Sequence, residues 1–217
     1  MTELLSQDEF RAALQDAIKG REASNASFSQ AWADGQLQRH HFARWAENHY
    51  HYVGPFADYL GYIYANTPDH QTEAKDFLLQ NMYEEELADI RHTDLLIRFG
   101  EACGTTRAAI ENPNNANAVT RGLQAWCYAT SMREHFAVAT AAMVVGLESQ
   151  VPQIYKKQIV PLREAYGLVH SSCPDRPARN LRLSDQADGT HRRLSLTRSR
   201  SLISPMTYCR IGVPSPV

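Results

Sequence analysis

If residues 70–100 form a helix, Leu78, Met82, Glu85, Asp89, His92, Leu96 and Phe99 fall on one stripe, at about 100° per residue. A stripe with that many large apolar side chains faces a core, yet three ionisable groups interrupt it. A solvated helix puts its charges on the opposite face. Carboxylates taken out of water are costly unless something compensates them. The pattern therefore demands an arginine, a water network or a metal ion beside Glu85 and Asp89.

The rest of the body reads as helix in the same way. Ser6 with Glu9 three residues on forms a capping box that starts a helix over 7–20, and Gly20 ends it. A short helix is expected over 25–34. Over 37–65, Phe42, Trp45, His49, Tyr52, Phe56, Tyr59 and Ile63 mark one face, with a kink at Gly54–Pro55. The helix over 70–100 ends in Gly100, and an Asn-rich loop follows it. A long helix is expected over 116–150, bent by Pro152 into a last piece over 153–166. No stretch alternates with a β period and no repeat is visible. The expected fold class is all-α, a helical bundle with an irregular C-terminal tail.

The tail differs sharply from the body. Residues 1–167 carry 14 Lys+Arg against 21 Asp+Glu, whereas 168–217 carry 8 Arg, no Lys and 3 Asp, with 8 Ser and 5 Pro. This divides the chain into a bundle domain over 1–167 and an Arg/Ser/Pro-rich tail over 168–217. Two readings of the tail stand: a disordered extension, or a segment translated out of frame. Either way the net charge of the whole chain is −2, which gives no general pull toward nucleic acid or an anionic membrane. The longest apolar run, 136–147, is shorter than the roughly 20 residues that a membrane helix needs. No signal peptide is visible, and the four cysteines form no CxxC pattern. A reduced, cytoplasmic chain is expected.

Candidate chemistry is confined to a few places. Glu85 and His92 lie two helical turns apart, about 10.5 Å along a straight axis. That is too far to share one ion comfortably, but near enough to hold the two ends of an ion pair about 3.5–4 Å apart. Asp89 and His92 form an Asp-x-x-His step like the Glu-x-x-His step of di-iron bundles. The bland alternative is a charged helix end beside Arg91 and Arg98, with Glu84–Glu86 as a solvated run. Glu148 interrupts the stripe of Val138, Ala141, Val144 and Val145 just before Pro152; a helix end emerging into water explains it equally well. Glu134 and His135 read as mid-helix surface groups, and His49 as a satisfied core histidine. Cys127 has no sequence-local base. In the tail, Asp188 and His191 form a further i, i+3 pair, with Gly189, a poor helix residue, between them.

The segment NMYEEELADIRHTDLLIRFGEACG, at 81–104, resembles the N-x-x-(D/E)-E … H-x-x-L … F … LG signature of the heme-oxygenase-like di-iron oxidases. RWAENHYHYV and GLESQVPQIYKK are similar to the flanking helices of that superfamily. It also includes the pyrroloquinoline-quinone synthase C, thiaminase (TenA) and Chlamydia-type death-domain-associating (CADD) proteins. The likeness covers roughly 10–168 and is closest to the CADD-like, iron-containing redox branch. It implies a heme-oxygenase-like bundle and a non-heme centre of two irons, or of iron and manganese, acting with O2 on a small metabolite; a homodimer is compatible with it. Carried over, it makes Glu85, His92 and Glu148 ligands, with Asp89 orienting His92. Asp188 and His191 match the second half of the family's late His-x-x-x-Asp-x-x-His motif, but Ser184 stands where the first His is expected. That departure keeps three alternatives open: a cofactor-free oxidase like pyrroloquinoline-quinone synthase C, a thiaminase-like hydrolase, or a catalytically impaired helical binding protein.

Overall fold

A computed structural model describes residues 5–87 and 90–168. Asp89 and all of 169–217, with Asp188 and His191, lie outside the described residues. Among those described there are ten α-helices and no strand, so the all-α expectation holds. They are α1 Gln7–Ile18, α2 Ser27–Ala33, α3 Arg39–Val53, α4 Phe56–Asn66, α5 Thr72–Glu86, α6 His92–Ala102, α7 Arg107–Glu111, α8 Ala118–Arg133, α9 Phe136–Thr140 and α10 Val151–Glu164. The Ser6–Glu9 capping box starts α1 as expected: Glu9 N–H donates to Ser6 Oγ, and Ser6 N–H donates to Glu9 Oε2.

Three of the expected long helices are broken. The 37–65 helix divides at Gly54–Pro55 into α3 and α4, where the proline cannot continue the ladder. The 116–150 helix ends at Arg133, resumes as α9, and then widens into a π-helical segment, Ala141–Leu147, and a 3-10 turn, Glu148–Gln150. Glu134 and His135 therefore sit at a helix break, both exposed, with His135 Nδ1 accepting from Ala137 N–H at 3.3 Å. Val138, expected on the buried stripe, is 53% exposed.

The third break matters most: the 70–100 helix stops at Glu86 and restarts at His92. Glu84, Glu85 and Glu86 crowd the C-terminal, negative end of α5, and no basic residue lies in its last turn. Breaking there lets Arg91 and His92 turn back onto those carboxylates. The helix does not end in Gly100, as expected, but runs on to Ala102, and Gly104 at φ +99 supplies the left-handed stop. The expected loop after it contains α7 and a 3-10 turn, Pro113–Asn115.

Two apolar cores form. Phe56, Tyr59, Leu60 and Ile63 of α4 pack with Leu78, Cys127 and Met143 in the first. Trp32, Phe42, Phe99, Cys103 and Leu162 form the second. Helix α3 joins them, because Trp45 packs on the second and Tyr52 on the first. His49 lies between: its ring stacks on Trp45 at 4.4 Å and meets Tyr52 edge-on at 5.6 Å.

Two outcomes are expected. Gly100 faces Ala46 Cβ and Ile110 Cδ1 so closely that an added Cβ would lie 3.0 and 2.6 Å from them. Ala46 and Ile110 are both fully buried, so neither neighbour has room to retreat. Gly100→Ala should cost about 1–3 kcal/mol in denaturant unfolding. Burial pushes the His49 imidazole down from 6.5 to about 4. Between those two values the unfolded chain takes up a proton that the folded chain refuses, so His49 lowers stability as pH falls through this window. The stability difference between wild type and His49→Phe, which keeps a ring against Trp45, should shift by up to about 3 kcal/mol across the window. Melting curves that run parallel across it would refute this.

Candidate metal centre

Glu85 ends the last turn of α5, and His92 opens the first turn of α6. On a straight helix the two side chains could not touch; across the break, His92 Nδ1 lies 2.8 Å from Glu85 Oε2. Both side chains are largely buried, at 17% and 12% exposure. Beside them Arg91 pairs with Glu86 at 3.0 Å. Glu84 Oε1 accepts from Gln80 Nε2 at 2.7 Å, while its Oε2 is buried with no hydrogen-bond partner among the described residues. The Glu84–Glu86 run is thus not a solvated face.

Glu148 reaches the same neighbourhood from the other side. It follows the π-helical segment, and an extra residue per turn there displaces the side chains that follow from the register of a regular helix. Its carboxyl is pushed up to about 7, first by burial and then by the negative charge of Glu85, with His92 acting in the opposite direction. Burial disfavours a charged His92, yet the hydrogen bond and charge of Glu85, followed by the charges of Glu148 and Glu84, raise its pKa overall. The first turn of α6 is also the positive end of a helix dipole, which favours a neutral imidazole. Below about pH 7 the buried Glu148 carboxyl holds its proton.

Two residues that the spacing did not single out belong to this neighbourhood. The phenol of Tyr52 lies within reach of the charges of Glu148 and Glu85; burial, then those carboxylates, raise its pKa far above the ordinary value. His49 meets it edge-on, and burial holds its imidazole pKa down at about 4. The sequence placed both on the apolar face of α3, but nothing local says that this face meets the ends of α5 and the π-helical segment. Cys127, fully buried, has its thiol pushed up to about 11, which makes it a poor nucleophile. Cys103 is held at about 11 in the same way, again chiefly by burial.

The donor set suits a hard or borderline cation: carboxylate oxygens from Glu85 and Glu148, an imidazole from His92, and an uncompensated buried oxygen on Glu84. Among the described residues no three of His, Cys, Asp or Glu are gathered closely enough to enclose an ion by themselves. Among the same residues no helix is long and apolar enough to cross a membrane.

Comparison with known proteins adds independent support. The chain is 29% identical over 153 residues to a 4-aminobenzoate synthase of Chlamydia trachomatis serovar D, covering 69% of this chain and 63% of that protein. It is 28% identical over 157 residues to the 4-aminobenzoate synthase of Chlamydia muridarum, covering 71% and 64%. The Chlamydia pneumoniae protein of the same name is 24% identical over 155 residues. The chain thus spans a little under two thirds of the length of the first two relatives. A family model described as iron-containing redox enzyme matches residues 43–174, a span that contains Glu85, His92, Glu148, Tyr52 and His49 together. With that match across more than half of its length, the chain belongs to the iron-containing redox enzyme family.

Proposed function

We propose that this chain is a non-heme, iron-dependent oxidase or oxygenase that uses O2 on a small metabolite. The observation that carries it is the Glu85–His92 contact across a helix break, facing a desolvated Glu148. In this reading Glu85, His92 and Glu148 are metal ligands. Asp188 and His191 complete a second iron position from the tail, and Asp89 orients His92. Bound iron would supply the electrons and open coordination positions that O2 reduction needs. The name of the chlamydial relatives points to an aromatic amine or acid as the product class.

The protein's own groups have three tasks. Glu85 fixes the His92 ring through its contact with Nδ1, and both groups would serve as ligands to bound iron. Glu148 would have to give up its proton to serve as a ligand, so iron binding would tighten as pH rises through about 7. Tyr52 and His49, both uncharged, wall the site with aromatic surface and keep water from the carboxylates. The inert, raised thiols of Cys103 and Cys127 argue against a cysteine-dependent hydrolase on the same scaffold. Buried free thiols also suit a reducing, cytoplasmic setting.

The bundle over 1–167 supplies one side of the site in this proposal, and the segment over 168–217 supplies the other. If the tail is out of frame, another reading frame of the gene after residue 168 should encode His-x-x-x-Asp-x-x-His. Its absence from both other frames would favour a genuine extension with Asp188 and His191 as they stand.

Glu148→Gln tests the centre with two readouts. Elemental analysis after anaerobic loading with ferrous iron should show iron lost from the variant. The metal-free variant should melt higher than wild type above pH 7, where the wild-type chain must ionise a buried carboxylate. That gain, up to about 3 kcal/mol, should shrink as pH falls toward 4.5. Unchanged iron content in the variant, together with a lower melting temperature at every pH, would assign Glu148 a structural role instead.

A further inference from the structure

A line of phenols leads away from the carboxylate–imidazole cluster. Tyr52 lies within reach of the charges of Glu148 and Glu85 and packs on the core that contains Leu78 and Val144. Tyr59 O–H donates to the Tyr52 carbonyl oxygen at 3.3 Å. The Tyr59 ring meets Tyr128 edge-on at 4.8 Å, and Tyr128 meets Tyr62 at 6.2 Å. Tyr62 is 41% exposed, whereas Tyr59 is fully buried. Tyr128 O–H donates to Asp58 Oδ2 at 3.3 Å, and Asp58 is open to solvent. Helices α3, α4 and α8 thus carry four tyrosines in sequence from the interior to water.

We propose that Tyr52, Tyr59, Tyr128 and Tyr62 form an exit route that carries one-electron oxidising equivalents from the buried centre to the surface. This rests on the redox reading above. Electron tunnelling weakens steeply with distance, so a buried oxidant discharges most easily through short steps, here the hydrogen bond from Tyr59 to the Tyr52 main-chain carbonyl and then the close rings of Tyr59, Tyr128 and Tyr62. The chemistry divides along the route. A phenol loses an electron readily only if its proton can leave with it. Tyr59 points its hydroxyl at a backbone carbonyl, a poor base, and serves as a bridge. Tyr128 has the Asp58 carboxylate, so one electron passes inward to the oxidised iron centre while the phenolic proton moves to Asp58. The products are a neutral Tyr128 radical, a protonated Asp58 and a centre reduced by one electron. Tyr62 then passes an electron to Tyr128, whose oxygen recovers the proton from Asp58, while the Tyr62 proton goes to water. A thiol in solution gives a hydrogen atom to the exposed Tyr62 radical, restoring the phenol and leaving a thiyl radical.

The test uses the full chain loaded anaerobically with ferrous iron and then given O2 without substrate. Peptide mass spectrometry maps oxidised residues, and electron paramagnetic resonance detects tyrosyl radicals. Wild type should show a tyrosyl signal and oxidation at Tyr128 and Tyr62. Tyr128→Phe keeps the ring and removes the acidic proton; it should lose the signal, lower Tyr62 oxidation several-fold and shift damage inward to Tyr52 and His92. Tyr83→Phe, at an exposed tyrosine off the route, should behave as wild type. Equal oxidation maps in wild type and Tyr128→Phe, with iron bound in both, would overturn the route. If iron does not bind, the proposed function fails, and the route is then read in metal-free protein with a photogenerated ruthenium(III) oxidant. The radical should settle on Tyr128, vanish in Tyr128→Phe and fall several-fold in Asp58→Asn. Identical signals in all three would also overturn it.

Discussion

The contact between Glu85 and His92 is the interaction on which the centre depends, and it exists because a helix fails. Three carboxylates in the last turn of α5 meet the negative end of its dipole without a local cation. A continuous helix would carry His92 about two turns, or 10.5 Å, away from Glu85. Restarting the helix at His92 brings the imidazole to 2.8 Å from Glu85 and Arg91 to 3.0 Å from Glu86. These two closures hold the ends of α5 and α6 together. The core-facing residues on either side, Leu78 before the break and Leu96 and Phe99 after it, remain buried.

What gathers around that contact is an excess of negative charge in a dry place. Glu148 arrives from the π-helical segment with its pKa raised by burial and by Glu85, and one oxygen of Glu84 is buried without a partner. Structural ion pairs do not leave such a surplus, because each uncompensated buried charge is destabilising. A cation-binding site would. Burial and the charge of Glu85 raise the pKa of Glu148, and the hydrogen bond and charge of Glu85 raise that of His92 against the effect of its own burial.

Much of this was legible in the sequence, though for reasons that were partly geometric accidents. Glu85, His92 and Glu148 stood out by interrupting apolar stripes, but spacing left a charged helix end as an equal reading, and the resemblance to the di-iron oxidases is what singled them out as ligands. The Glu85–His92 spacing was read on an unbroken helix, whereas the two residues belong to different helices. Gly54–Pro55 marked its break plainly, whereas the apolar run Ala141–Leu147 offers only Gly146, too weak a signal to foretell a π-helical widening. Tyr52 and His49 were legible as core positions and not as neighbours of the carboxylates. Their place depends on how α3 lies against α5 and the π-helical segment, which is a tertiary fact. Clusters of buried acids on one chain segment can be found by eye; the aromatic groups that a different helix brings to them cannot.

The irregular and the regular parts of the bundle divide the work. Every described candidate ligand sits at a discontinuity: Glu85 at the end of α5, His92 at the start of α6, Glu148 where a π-helical segment becomes a 3-10 turn. Helix ends and π-turns leave backbone groups unmatched and side chains off the regular register, which lets a carboxylate or imidazole be aimed where a uniform helix would not point it. The aromatic groups lie instead within the regular spans of α3, α4 and α8, packed against two apolar cores. The break between α5 and α6 and the π-helical segment before Glu148 both lie beside desolvated carboxylates, whereas the break between α3 and α4 follows from Pro55, which cannot continue the helix ladder.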